Sequence, residues 1–476
     1  MLQEFCMDLK KRFLLKALTA NLIVSEALFK NLVWSAEFSV EDRTYLYPED
    51  FGAKGNGLID DSAALADCLR VSILMKKKVR FKESAKYLCK QTISIVGTIK
   101  VNATGATIIS NGNFLEVIDG AGSEWVGGLL KAASKPYTIT YTQDWSIQRE
   151  GTLGYGRMPF DNESQRINRD FLDQKIGCAL VFRSSNGYAL DGVIIKNVTT
   201  DYGNIIIAGF KNVIIDSCKI KGGAHMGGCA ILNGTRDPIL WGYKNRINDF
   251  EFARGYGHKI SNSIFYQCRN NGLFLSGSEN VVIDNCKFID NGESGFKTAQ
   301  YVKRSWTNTN CCCKNIKISN CYASGQGYDG FDLQNVFGSG EQVHIPSNIL
   351  ISNCISENNR RTGFISQGGG NFFVECISSN NGSHGLVSKF SRNVKMLRCK
   401  STNNLQFFDG IELGLLGPDC IMEECSVVHN KGNGKYFLIT HTINDSSINR
   451  KAGYSIRNKV QDHNKCDIDP RVIIIN

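Results

Sequence analysis

A short phrase recurs along this chain: Ile215-Asp-Ser-Cys218, Ile260-Ser-Asn-Ser263, Ile283-Asp-Asn-Cys286, Ile318-Ser-Asn-Cys321 and Ile351-Ser-Asn-Cys354, then Phe373-Val-Glu-Cys376, Leu397-Arg-Cys399 and Glu424-Cys425. Nine residues after the Cys or Ser stands a Gly in almost every copy: Gly227, Gly272, Gly295, Gly330, Gly363, Gly385 and Gly434; the copy at Cys399 reaches Gly410 after eleven. There are 47 Gly in 476 residues, so this agreement is not an accident of composition. From Ser263 onward the markers are 23, 35, 33, 22, 23 and 26 residues apart. A base step of 22–23 residues with insertions is the signature of one coil of a solenoid.

Within a coil the apolar residues alternate, as in Asn280-Val-Val-Ile-Asp-Asn-Cys286, which is the period of a strand. The Leu-rich consensus and helical segment of leucine-rich repeats are missing. The pattern therefore predicts an all-β, single-stranded right-handed parallel β-helix over 79–440. In such a stack each strand pairs with the next rung about 4.8 Å away, and equivalent residues form ladders. The 18 Cys then read mainly as an internal stack of small apolar thiols rather than disulfides. Cys311-Cys312-Cys313 is the exception, placed in an insertion without a spaced metal-binding partner. Only 7 Pro and the absence of a Gly at every third residue exclude collagen, and no long apolar run predicts a polytopic membrane protein.

Before the coils lies Tyr47-Pro-Glu-Asp-Phe51-Gly52-Ala53-Lys54-Gly55-Asn56-Gly57-Leu-Ile-Asp60-Asp61-Ser62-Ala63-Ala64-Leu65. Its glycines permit a tight turn. Asp60, Asp61 or Ser62 can cap a helix beginning near Ala63, with Ala64, Leu65, Cys68, Leu69 and Ile73 as its apolar stripe. Such a helix in the opening unit, 41–78, would cover the exposed edge of the first coil. This stretch resembles the start of right-handed β-helix proteins of the pectate lyase superfamily, which includes polygalacturonases and phage tailspike depolymerases. Asn56 stands where that pattern has Asp, and Ser62 where it has Thr. Together with the coils, the resemblance covers roughly 47–440. It implies the fold, whereas chemistry varies across the group.

The ends and the charge add less. Lys10-Lys11-Arg12 followed by a weakly apolar stretch to Ala36 resembles an export leader of the twin-arginine kind, although Glu26 and Lys30 interrupt it. Residues 1–40 are thus read as a leader or as an amphipathic segment. The leader implies a periplasmic or secreted protein, with cytoplasmic or virion-associated placement as the alternative. Residues 441–476 are read as a last partial coil and cap. The net charge of +10, from 55 Lys+Arg against 45 Asp+Glu, favours an acidic partner. Nucleic acid is disfavoured because the longest basic run is Lys76-Lys77-Lys78 and no recognition module is present. Membrane contact is expected at most through the N-terminal segment, and the oligomeric state is left open. No cofactor is implied; no Asp/Glu spacing forms a dedicated calcium loop, though calcium is not excluded.

Two positions around the repeat Gly carry the candidate chemistry. The residue before it runs Asn271, Ser294, Asp329, Thr362, His384, Asp409; the second residue after it runs Phe274, Lys297, Asp332, Ile365, Val387, Glu412. Core positions should be apolar or small, so the acidic and His members are assigned to the outer face. The segments around Asp329, Asp332, Asp409 and Glu412 resemble the acidic motifs of polygalacturonases, and Ser383-His384-Gly385 resembles their Gly-His-Gly. The resemblance implies carboxylates for acid and base and a supporting His. The motif order differs, however, and no Arg-Ile-Lys match is found. His384 and Asp409 should lie one rung apart, about 5 Å, whereas Asp329 and Asp409 should lie about 14 Å apart. The latter exceeds the roughly 5–9.5 Å spanned by glycosidase carboxylates. Asp329 and Asp332 share a face only if Gly330 bends the strand.

Long excursions at Leu232–Lys259, Tyr301–Lys314 and Asn335–Pro346 should leave the coil at one corner and stack into a wall. They carry Trp241, Tyr243, Arg246, Arg304 and Trp306, flat aromatic faces and carboxylate-pairing Arg suited to sugars. A fourth excursion runs from Thr138 to Gln174. His225 and His258 are read as ordinary surface or loop histidines. The resulting expectation is an enzyme that cleaves an acidic bacterial glycan in a groove along the helix. Its chemistry is hydrolysis by two of Asp329, Asp332, Asp409 and Glu412, or elimination with Lys297 or Arg304 neutralising a uronate. The alternative is a non-catalytic glycan-binding or scaffold protein of surface-polysaccharide assembly.

Overall fold

The computed structural model describes residues 44–110, 112–133, 178–185, 189–222, 227–232, 255–268, 271–298, 313–334, 347–389, 393–406, 410–416, 420–428, 435–440, 454–456, 458–460, 466–468 and 473–475. Their strands form three parallel sheets of 16, 14 and 13 strands among the described residues. Neighbours within each sheet follow sequence order, and the chain visits the three sheets in turn. Lys314–Ser319, Tyr322–Ser324 and Phe331–Gln334 make one such coil. The architecture is the stacked solenoid that the periodicity predicts. No helix among the described residues is long and apolar enough to cross a membrane.

The opening motif behaves as its residues dictate. Asp61 is buried and its carboxylate accepts the backbone N–H groups of Lys54 (2.6 Å) and Gly55 (3.2 Å), which closes the glycine turn. Asp61 is the N-cap residue, and Asp60 just before it accepts the Ser62 N–H at 3.1 Å. The helix Ser62–Met75 buries Leu65, Cys68 and Leu69 in the core, with Ala64 and Ile73 packed partly buried beside them.

Each coil turns at residues that tolerate the left-handed region. Asn285, Asn320 and Asn353 have φ of 50, 55 and 53°, a conformation open to Asn because its short side chain bonds locally. The Cys that follows each of them points inward. Cys218, Cys286, Cys321, Cys354, Cys376, Cys399 and Cys425 are all buried as free thiols. Each Sγ lies 3.1–3.6 Å from the carbonyl two residues earlier. Burial pushes the Cys218 thiol up to about 12, as expected for a packing group rather than a nucleophile. Cys313 joins the core too, its Sγ against the Leu275 carbonyl. Phenylalanines fill the next layer: the Phe265 and Phe288 rings stack at 5.4 Å, and Phe331 and Phe364 at 4.9 Å.

A second interior ladder is polar. Asn291, Gln326, Asn359, Asn381 and Asn404 are fully buried. Asn359 Nδ2 donates to Asn381 Oδ1 (2.8 Å), and Asn381 Nδ2 to Asn404 Oδ1 (2.7 Å). Each of those oxygens also accepts the N–H of the preceding Asn at 3.0 Å, so the buried amides are satisfied from rung to rung. The repeat Gly makes room for it: a Cβ on Gly330 would sit 1.9 Å from Ser356 Oγ, and one on Gly363 2.2 Å from Ser378 Oγ.

Candidate functional site

Gly330 also explains how two acids come to share a face. Its missing Cβ faces the interior, and Phe331 beside it is a core residue. Two successive inward positions break the strict alternation, so Asp329 and Asp332 both emerge on the outer side of the third sheet. Asp332 lies beside Lys297 of the preceding rung, with Lys297 Nζ 3.0 Å from its Oδ2. The Asp332 side chain is 0% exposed and that of Lys297 13%. Burial works against a charged Lys297, but Asp332 and the further negative charges of Glu293 and Asp329 hold its proton more firmly than usual.

Asp329 is also completely buried. Its Oδ1 accepts the Thr362 N–H at 3.0 Å from the next rung. Its Oδ2 has no hydrogen-bond partner among the described residues, and Arg361 Nη1 stands 3.9 Å away. Burial first, and the charge of Asp332 second, push the Asp329 carboxyl well above the usual carboxylate range. One acid is therefore biased toward its neutral form while its neighbour is ion-paired, an arrangement suited to proton transfer. Arg361 and Tyr328, which sequence reading passed over, complete the cluster. The Arg361 guanidinium lies 4.2 Å from the Tyr328 ring centroid. No sequence motif singles out Arg361; only its position one rung above Tyr328 does.

The other sequence-derived candidates separate from this cluster. The register places Val387 opposite Gly414, not Glu412, and Leu386 opposite Leu413. Glu412 therefore occupies the position of the repeat Gly and faces inward. It is fully buried, its Oε2 accepting from Ser401 Oγ and Asn404 Nδ2, both at 2.6 Å. Its assignment to the outer face is corrected: the carboxylate, an acceptor with no donor to spare, terminates the amide ladder. His384 does sit in the column of Asp329 and Thr362, because Gly330 N–H donates to the Thr362 carbonyl and Gly363 N–H to that of His384. The next member of that column is Ile411, whose carbonyl accepts from Gly385 N–H, and not Asp409. His384 Nδ1 accepts the Ile411 N–H at 2.9 Å. His258 is not a surface residue. It is fully buried, Nδ1 accepts the Val213 N–H at 3.2 Å, and burial pushes it down to about 4.

Asp409, Arg304, Trp306, Trp241, Tyr243, Arg246 and His225 lie outside the described residues, as do residues 1–43 and most of the excursions. Three of those excursions follow strands of the third sheet, those ending at Leu232, Thr298 and Gln334, the sheet that carries the cluster. Around the charged patch the outer face is apolar. Val181, Ile206, Ala230 and Phe274 lie on one side, and Ile365, Val387 and Ile411 on the other, all buried. Among the described residues no three His, Cys, Asp or Glu side chains gather to hold a metal ion.

A family model described as a right-handed beta helix region matches residues 242–345 and 329–467. No curated protein sequence matches. Among solved structures, the chain is similar to the Siphovirus 9NA tailspike receptor binding domain, with a TM-score of 0.53, 12% identity, and coverage of 92% of this chain and 76% of that one. The Azotobacter vinelandii mannuronan C-5 epimerase AlgE4 A-module gives a TM-score of 0.43 at 13% identity, covering 91% and 97%. The Streptococcus pneumoniae surface protein and adhesin PfbA gives 0.43 at 16% identity, covering 91% and 100%. At 12% identity the likeness to the tailspike domain is one of fold.

Proposed function

This chain is a right-handed β-helix protein, and from that premise we propose that it is a polysaccharide-active enzyme that cleaves an acidic bacterial glycan on the outer face of its third sheet. The observation that carries the reading is the convergence of Asp329 and Asp332 on Lys297, with the Asp329 carboxyl biased toward its protonated form. In hydrolysis Asp329 is the general acid that protonates the leaving glycosidic oxygen, and Asp332 is the carboxylate that activates water. Lys297, with Nζ 3.0 Å from Asp332 Oδ2, holds that carboxylate in place. His384, two rungs beyond Asp329 in the same column, supports the far end of the groove. The wall residues Trp241, Tyr243, Arg246, Arg304 and Trp306 are assigned to sugar binding, and Asp409 remains a candidate carboxylate. Export through the N-terminal segment to the periplasm or beyond suits such a substrate.

The complete burial of both carboxylates favours a second reading, a protein that retains the glycan without cutting it; cleavage requires this face to open to substrate. The similarity to a tailspike receptor binding domain is compatible with either. Full-length protein incubated with a panel of acidic bacterial polysaccharides separates them. New reducing ends without ultraviolet absorbance from unsaturated uronate identify a hydrolase, and both signals together a lyase. Retention of a glycan with neither signal removes the enzyme and leaves the binding protein.

A further inference from the structure

We infer that Arg361 is the receptor for the carboxylate of a uronate-bearing ligand, and that Asp329 competes with that carboxylate for the guanidinium. The inference deepens the glycan reading above and rests on it. Arg361 sits at a corner fixed from both sides: its N–H donates to the Tyr328 carbonyl at 2.9 Å, and its own carbonyl accepts the Ser383 N–H at 2.7 Å. The guanidinium carbon lies 4.2 Å from the Tyr328 ring centroid, and a guanidinium is the planar fork that meets a carboxylate through two parallel bonds.

Burial assigns the role to Arg361 rather than to Lys297. Arg361 is 31% exposed, whereas Lys297 is 13% exposed and held by Asp332 at 3.0 Å. The separation of 3.9 Å between Arg361 Nη1 and Asp329 Oδ2 is too long for a hydrogen bond but short for a charge interaction. The guanidinium thus stands between solvent and a buried acid. Asp329 is faced by Lys297 from the rung below, with Glu293 acting on that lysine, by Asp332 on its own rung, and by Arg361 and Thr362 from the rung above. Protonating Asp329 removes the carboxylate that competes for Arg361. Ligand affinity should therefore rise as falling pH protonates Asp329, which burial and Asp332 bring about above the ordinary carboxylate range, where sugar carboxylates stay ionised.

The test measures retention of uronate-bearing polysaccharides, and of their carboxyl-reduced counterparts, by the full chain and by R361Q, R361K and D329N between pH 5 and 8. Thermal melts show that each variant is folded. The expected result is at least tenfold weaker retention of the reduced glycan, a similar loss in R361Q with partial recovery in R361K, and a pH dependence that D329N flattens. Equal retention of acidic and reduced forms, or undiminished binding by R361Q and R361K, overturns the inference while leaving the glycan reading intact. Failure of the wild-type chain to retain any member of the panel overturns that reading, and the inference with it.

Discussion

Two fully buried carboxylates, Glu412 on a strand of the third sheet and Asp329 two residues before one, do opposite things. Glu412 points into the coil, where Ser401 and Asn404 donate to it at 2.6 Å. Asp329 points out of it, with one oxygen bonded to a backbone N–H and the other lacking a hydrogen-bond partner among the described residues. Burial alone does not distinguish scaffold from chemistry; the donors around the buried group do. A carboxylate whose acceptors are matched by donors contributes to the fold. One beside a second carboxylate and a lysine, with its carboxyl pushed above the usual range by burial, is the pattern often found where protons are moved.

Breaking the Lys297–Asp332 pair should give the largest effect. Lys297→Met removes the ammonium group 3.0 Å from the buried Asp332 carboxylate and should cost about 3–5 kcal/mol in chemical denaturation. The double variant Lys297→Met/Asp332→Leu should recover much of that, because the outer face around it is apolar. If the single variant is as stable as the wild type, the pair is not buried as described.

The next effect is on pH. His258 is held down to about 4 by burial, against about 6.5 unfolded, so the unfolded chain binds the extra proton between those values. Stability present above pH 6.5 should fall as pH drops toward 4, by about 3 kcal/mol in all. His258→Asn should remove that slope in melts recorded across the window. Asp329 tilts the other way. Its folded carboxyl titrates above its unfolded value of about 3.8, so its contribution is full below that value and is lost as pH rises toward the folded one. Asp329→Asn should flatten this second slope and leave the first intact.

Glu412→Ala should cost about 2 kcal/mol, since Asn404 loses its carboxylate acceptor and Ser401 keeps only the backbone carbonyl of residue 412, and should leave per-molecule glycan activity unchanged at temperatures where the protein is folded. A large loss of activity in folded Glu412→Ala would erase the distinction between the two acids.

The coil was legible because its corners demand particular residues. An inward Cys after a left-handed Asn, and a Gly where a Cβ would strike the next rung's serine, repeat with little freedom. The helix Ser62–Met75 was legible from its cap and stripe. The site was legible only in part. Lys297, Asp329 and Asp332 stand out because charged residues interrupt an apolar column, and the bend at Gly330 was the right condition to place on them. Glu412 was misread because counting to Gly410 preserved a glycine, whereas the register passes that glycine by and puts the acid itself in its place. The Asn at positive φ and the inward Asn look alike in the sequence; the inward set was invisible because composition does not say which way a side chain points. Arg361 belongs to a corner without periodicity, so only the folded coil brings it to Tyr328 and Asp329.

The most direct test of the central claim compares wild-type protein, Asp329→Asn and Glu412→Ala for release of reducing ends from the acidic polysaccharide panel, with a thermal melt of each. The account predicts product from the wild type, a loss of at least a hundredfold in a fully folded Asp329→Asn, and product from a less stable Glu412→Ala. A glycan retained by the wild type but left uncut, or cut equally well by Asp329→Asn, would contradict it.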